Sequence, residues 1–335
     1  MRFALSTEQL DFAAELRKIL DAGQVPVAVR AWSDGDTVKG RALLRQLAEM
    51  GVFGLIVDEQ YDGADATPVD LVVALIEAGR AALPGPVIES AAVIPALLQR
   101  LPDSTVAQRF LPALASGEQL GTIAFDDPQR GIALDANTAD LVLVTTGSRV
   151  TTGAKSTGVA ASVDPARELS QLVADALIAE GPEVEAAIAY AFDLGVLACA
   201  AQLLGAGRAI LEQTTAYAKQ RKQFGRAIGE FQAVKQQLAD VLIALDLAEP
   251  LLYRAALTLD SDDRARDVSA ALVTCADAAH RAARAGLQVH GAIGYTAECD
   301  LSLWLTKVTA LRTAWGTADF HRARIAAALR TEAAS

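Results

Sequence analysis

A mainly α-helical protein with a short β segment in its middle is expected from three observations. Apolar residues recur at helical spacing over residues 1–120 and again after Pro182, and β-branched runs are confined to 121–181. Hydrophobic residues make up 52% of the 335, which supplies a large core. The chain therefore divides into an N-terminal helical domain (1–120), a reduced β domain (121–181) and a C-terminal four-helix bundle (182–335).

Each element has a local signal. Ser6 and Glu8 open a first helix whose stripe is Leu10, Phe12, Ala13, Leu16, Ile19 and Leu20, and Gly23 stops it. A second helix runs near Gly40 to Met50, and the next segment, Gly51 to Gly63, is apolar and then turn-forming. Pro68 starts a further helix to Ala81, because a first-turn proline sacrifices no hydrogen bond, and Leu83-Pro84-Gly85-Pro86 breaks the chain. Leu141 to Thr146 and Arg149 to Thr152, separated by Gly147-Ser148, read as a hairpin. After Pro182, the series Ile188, Phe192, Val196, Cys199, Leu203, Ile210 and Tyr217 marks one long helix reaching a basic stretch. Phe231 to about Leu259 is a second, a third ends near His290, and a fourth covers about Asp300 to Ala328.

Composition removes several function classes. A net charge of −11 argues against nucleic acid, which needs an excess of Lys and Arg on one face. The three cysteines, Cys199, Cys275 and Cys299, lack disulfide or metal spacing, and His280, His290 and His321 form no helical ligand pair. Uninterrupted apolar runs are far shorter than the roughly 20 residues of a membrane span, so no transmembrane helix and no signal peptide are expected, and the protein is expected in the cytoplasm. The basic stretch Arg208, Lys219, Arg221, Lys222 and Arg226 reads equally as a solvated helix end or as an anion site. Two glycine-rich strings are refused: Gly205-Ala206-Gly207 follows no strand, and Gly153-Ala154-Lys155-Ser156 has the wrong spacing for a phosphate loop.

Four segments in the last third belong together: Arg221-Lys222-Gln223-Phe224-Gly225, Phe231-Gln232, Gln288 to Tyr295, and Ala314-Trp315-Gly316-Thr317. In order and spacing they resemble the C-terminal helical domain of acyl-CoA dehydrogenases. The likeness extends over nearly the whole chain, through Leu47 to Leu55, Asp58 to Gly63 and Ile76 to Arg80. It implies an acyl-CoA dehydrogenase-like fold and an FAD site to which Arg221, Gln223, Phe224, Gln232, Gln288, Val289, Gly291 and Ala292 contribute. An arginine fork suits the pyrophosphate of FAD, and in the family that arginine reaches across a subunit interface to a neighbour's flavin. Ala292 stands where the family usually has a second glycine.

The carboxylate that such chemistry requires is missing. The family removes an α-proton from a thioester with a glutamate placed either before the C-terminal Gly-Thr pair or on the first bundle helix. Those positions are Trp315 and Gly195 here. The segment Ile123 to Pro128 lacks the usual Gly-Ser pair, 121–181 contains no Trp, and Asp319 falls near where the family's own flavin phosphates lie. The resemblance therefore implies the non-catalytic subunit of a heteromeric enzyme, an α2β2 tetramer of the actinobacterial type acting on steroid side-chain CoA thioesters. It would share FAD with a catalytic acyl-CoA dehydrogenase subunit that binds most of the acyl-CoA, and pass electrons to an electron-transfer flavoprotein. Two rivals remain open: an active homomeric dehydrogenase with Asp193 or Glu298 as base, and a flavin-free assembly subunit.

Overall fold

The computed structural model describes residues 4–125, 132–296 and 298–334. Helices come first: α1 (Thr7–Ala22), α2 (Val25–Ser33), α3 (Val38–Glu49), α4 (Pro68–Arg80), α5 (Ile94–Leu98) and α6 (Ser104–Ala115). Ser6 caps α1 in a capping box with Gln9, and Gly23 ends it. Leu10, expected in the stripe of α1, is exposed, whereas Leu16 and Leu20 are buried. α2 carries no sequence expectation here; its buried Val25, Ala28, Val29 and Trp32 recur at i, i+3, i+4 and i+7.

The β segment consists of β1 (Gly121–Phe125), β2 (Ile132–Leu134), β3 (Leu141–Thr146), β4 (Arg149–Ala160) and β5 (Leu169–Glu180). They form one sheet in the order β1-β3-β4-β5-β2, with β1 parallel to β3 and the remaining pairs antiparallel. Gly153 lies within β4, where an added Cβ would meet Val142 and Val144, so its string serves sheet packing. Asp126, Asp127 and Pro128 lie outside the described residues.

The bundle begins with α7 (Pro182–Gln220), followed by the short hairpin of β6 (Lys222–Gln223) and β7 (Arg226–Ala227), then α8 (Gln232–Leu257) and α9 (Arg264–His290). α7 is long and apolar enough to cross a membrane, although no uninterrupted run suggested it, and 89% of its apolar window is buried within the fold. The expected fourth helix is two, α10 (Leu301–Ala314) and α11 (Ala318–Ala334). The break falls at Gly316, whose φ of +109° lies outside helical space, and His321 accepts this bend by bonding the Trp315 carbonyl at 2.9 Å. α4 crosses α7 at backbone contact distance: a Cβ on Gly205 would lie 1.9 Å from the Ile76 carbonyl oxygen. That approach explains Gly205, and Gly207 lies against Leu245 and Ala279 of the bundle, so the string serves packing without any nucleotide.

Candidate functional site

Two places carry the sequence-derived candidates, one inside the molecule and one on its surface. Inside, the two positions that could have held a base face each other. Gly195 on α7 lies directly beneath Trp315, so that a Cβ on Gly195 would come within 2.3 Å of the indole Cζ3. Trp315 is 6% exposed and joins Phe125 and Phe192 in an aromatic cluster with centroid separations of 5.7 and 6.0 Å. The indole therefore fills the volume a carboxylate from either position would need.

Neither rival base reaches this point. Asp193 is buried, but its carboxylate is held by Arg264 at 3.0 Å and by Arg324, on the other side of α7. A carboxylate neutralised by two guanidinium groups is a structural clamp between α7, α9 and α11. Glu298 is exposed beyond the end of α9 and contributes nothing to the interior.

Beside Trp315 lies a cavity of about 520 Å³ between the sheet and the bundle, lined by Ile123, Phe125, Phe192 and Trp315 with Glu89, Arg167 and Arg312. Glu89 opens a π-helical turn, Glu89–Val93, that leads into α5. Its Oε2 is buried without a hydrogen-bond partner among the described residues. Burial pushes its carboxyl up to about 7, against the pull of the nearby Arg167 guanidinium. Sequence reasoning missed Glu89; the available signal was a lone acid within the apolar stretch from Pro84 to Pro102. Behind it, burial raises Asp135 to about 6 and lowers Lys307 to about 8, while the Lys307 ammonium donates to the carbonyls of Ala82 and Leu83.

On the surface, the bundle gathers most of the cofactor candidates at one end. α7 and α9 run in the same direction, and Tyr217 stacks on His290 at 4.1 Å, which brings the two helix C-termini together. Arg221 caps α7 and is exposed, with no carboxylate partner among the described residues. Phe224 and Gly225, at φ of 52° and 79°, form a two-residue turn between β6 and β7, and Phe224 is 92% exposed. Gln223 is exposed on β6, and Gln232 is exposed in the first turn of α8. Gln288 is exposed and Val289 half-buried in the last turn of α9; Gly291, at φ +66°, turns the chain away and leaves Ala292 exposed.

This surface fits part of a dinucleotide: one unpaired guanidinium for phosphate, amide side chains for a base or sugar, and an aromatic tip for stacking. The interior lacks the proton acceptor, because neither base position carries an ionisable group. Asp319, at the start of α11, is exposed and paired with Arg322 at 3.4 Å.

Comparison with known proteins agrees with this architecture. Residues 6–118 match the acyl-CoA dehydrogenase N-terminal domain and residues 184–330 the acyl-CoA dehydrogenase C-terminal domain. The acyl-CoA dehydrogenase IpdE2 of Mycobacterium tuberculosis is 30% identical over 284 residues, covering 84% of this chain and 85% of that protein. Among solved structures, the ChsE4-ChsE5 complex from Mycobacterium tuberculosis superposes with a TM-score of 0.86 at 23% identity, covering 98% of this chain and 99% of the other. A variant of the Tcur3481-Tcur3483 steroid ACAD gives 0.85 at 23% identity, with the same coverage. These two establish the likeness of fold. With both family domains matched over most of its length, the chain belongs to the acyl-CoA dehydrogenase family.

Proposed function

We propose that this chain is the non-catalytic subunit of a heteromeric FAD-dependent acyl-CoA dehydrogenase and completes the flavin site of a catalytic partner. The observation that carries the reading is the contact between Trp315 and Gly195, which leaves both base positions closed while Arg221 and the Phe224 tip stand exposed. FAD, bound mainly by the partner, would supply the hydride acceptor. Arg221 binds its pyrophosphate, Phe224 and Gln223 hold the adenine side, Gln232 bonds the adenine or ribose, and the turn from Gln288 to Ala292 brings backbone close to the nucleotide. The partner provides the glutamate base and most of the acyl-CoA pocket, in an α2β2 tetramer that hands electrons to an electron-transfer flavoprotein. The ChsE4-ChsE5 complex and the Tcur3481-Tcur3483 steroid ACAD support a two-chain enzyme, and the latter's description supports a steroid as the substrate class, which we take to be a steroid side-chain CoA thioester.

The test is co-expression with the most closely linked acyl-CoA dehydrogenase-like gene and measurement of FAD per chain. One FAD per pair, none on this chain alone, and loss of FAD from the Arg221→Ala complex are expected. Full occupancy in that variant would remove the assigned role, and FAD retained by this chain alone would overturn the reading of a closed interior.

A further inference from the structure

α7 and α9 stay in close contact up to their C-terminal ends. A Cβ on Gly286 would lie 2.9 Å from Ile210 Cγ2 and 3.1 Å from Thr214 Oγ1. One turn farther along, Tyr217 and His290 stack at 4.1 Å with ring planes 19° apart. The imidazole is buried and fixed in place by Nδ1, which lies 2.8 Å from the Gly286 carbonyl; a carbonyl only accepts, so Nδ1 carries the proton. Each ring sits on backbone that leads directly into a flavin candidate. The Arg221 N–H donates to the Tyr217 carbonyl at 2.9 Å, and the Arg221 carbonyl accepts from the Ile228 N–H at 2.8 Å. On the other helix Gly291 follows His290, and a Cβ on Gly294 would lie 3.0 Å from His290 Cβ, so the turn Gly291–Tyr295 folds back over this residue. We propose that Tyr217 and His290 are positioning residues for FAD, their stack setting the separation between Arg221 and the Gln288 to Ala292 turn.

One exposed guanidinium holds a phosphate weakly in water, because a long side chain must be ordered against strong solvation. Affinity rises when the guanidinium and a second contact are presented to one nucleotide together, with their spacing already fixed by the fold. Two helix ends can splay or slide if only aliphatic side chains join them; an offset aromatic stack constrains both distance and ring plane. Neither Tyr217 nor His290 belongs to the set proposed to touch the nucleotide, so both act through Arg221 and the turn. The inference rests on the reading of this surface as part of a flavin site, and adds to it the device that keeps its two segments in register.

The test is titration of FAD into the flavin-stripped complex with the catalytic partner, read by flavin fluorescence. Tyr217→Leu removes the stack and should weaken FAD about tenfold, the worth of one aromatic pair. Tyr217→Phe keeps the ring and should stay within about twofold of wild type. His290→Leu breaks the same stack from the other helix and should repeat the loss, which keeps the test available if Tyr217→Leu fails to fold. Arg221→Ala should weaken FAD by itself and shrink the further effect of Tyr217→Leu to about twofold or less, since the stack then has no guanidinium to position. A stack that merely stabilised the bundle would cost the same in both backgrounds. Wild-type affinity in both leucine variants, equal losses in Tyr217→Phe and Tyr217→Leu, or full additivity with Arg221→Ala would each overturn the positioning role while leaving Arg221 as a flavin contact. Wild-type affinity in Arg221→Ala would instead overturn the flavin-site reading itself, and the positioning role with it.

Discussion

Phe224, proposed to hold the adenine side of FAD, combines two structural costs. It holds a left-handed backbone at φ 52°, and its ring stands 92% exposed, touching Phe231 edge-on at 6.3 Å. An L-residue in that region carries a penalty of roughly 1–2 kcal/mol, which Asn-Gly turns largely avoid. Phe224→Asn is therefore expected to stabilise the isolated chain by about 0.5–1 kcal/mol while lowering FAD occupancy of the complex. Chemical denaturation and flavin absorbance separate the two effects, and a stabler variant with full FAD would show that the ring is dispensable. Trp315 presents the opposite case, a buried ring with no polar role. Its replacement by alanine should open a cavity over Gly195 and cost about 3–5 kcal/mol in urea unfolding, without generating dehydrogenase activity. Activity gained in that variant would mean that a base had been only masked.

Among the secondary-structure elements, the crossing of α4 and α7 joins the N-terminal helices to the bundle. It relies on Gly79 and Gly205, where an added Cβ would lie 2.1 and 1.9 Å from carbonyl oxygens of the opposite helix. Backbone cannot yield as a flexible side chain can, so Gly205→Ala should cost at least roughly 2 kcal/mol; an unchanged urea midpoint would contradict the contact. Such crossings also show what the sequence makes legible. Capping and period identify α1, α4 and α7, since Ser6, Pro68 and the apolar series of α7 act locally. The Gly147-Ser148 turn between β3 and β4 is equally local. The interruption at Gly316 is hidden because apolar spacing continues across it, and α2 is hidden by its closeness to Gly23 and its early proline. The surface candidates were legible as motifs, yet their gathering at one end depends on α7 and α9 running in parallel. Glu89 was legible only as a lone acid in an apolar stretch: its surroundings come from β1, β2 and α10, distant in sequence.

The three regions of the molecule meet around one set of charges, drawn from the N-terminal helices (Glu89), the sheet segment (Asp135 and Asp164) and the bundle (Lys307), all buried, with the half-buried Arg167 of the sheet segment beside them. Burial raises Glu89 from 4.5 to about 7 and Asp135 from 3.8 to about 6, so the folded state binds protons that the unfolded chain has released. Stability from these groups is accordingly greatest below about pH 4 and is lost as pH rises towards 7. Lys307, lowered from 10.5 to about 8, has the opposite sense: the folded chain gives up a proton the unfolded chain keeps, and stability returns between pH 8 and 10.5. The junction should therefore be weakest near pH 7–8. Glu89 alone accounts for roughly 3 kcal/mol of the acid limb, at 1.36 kcal/mol per unit. Glu89→Gln keeps the shape and removes the titration. Denaturant midpoints of wild type and variant between pH 5 and 8 should then diverge, with the variant losing less stability as pH rises. Parallel profiles would mean that Glu89 is ionised throughout in the folded protein, held by Arg167 more closely than its buried, unpaired oxygen implies.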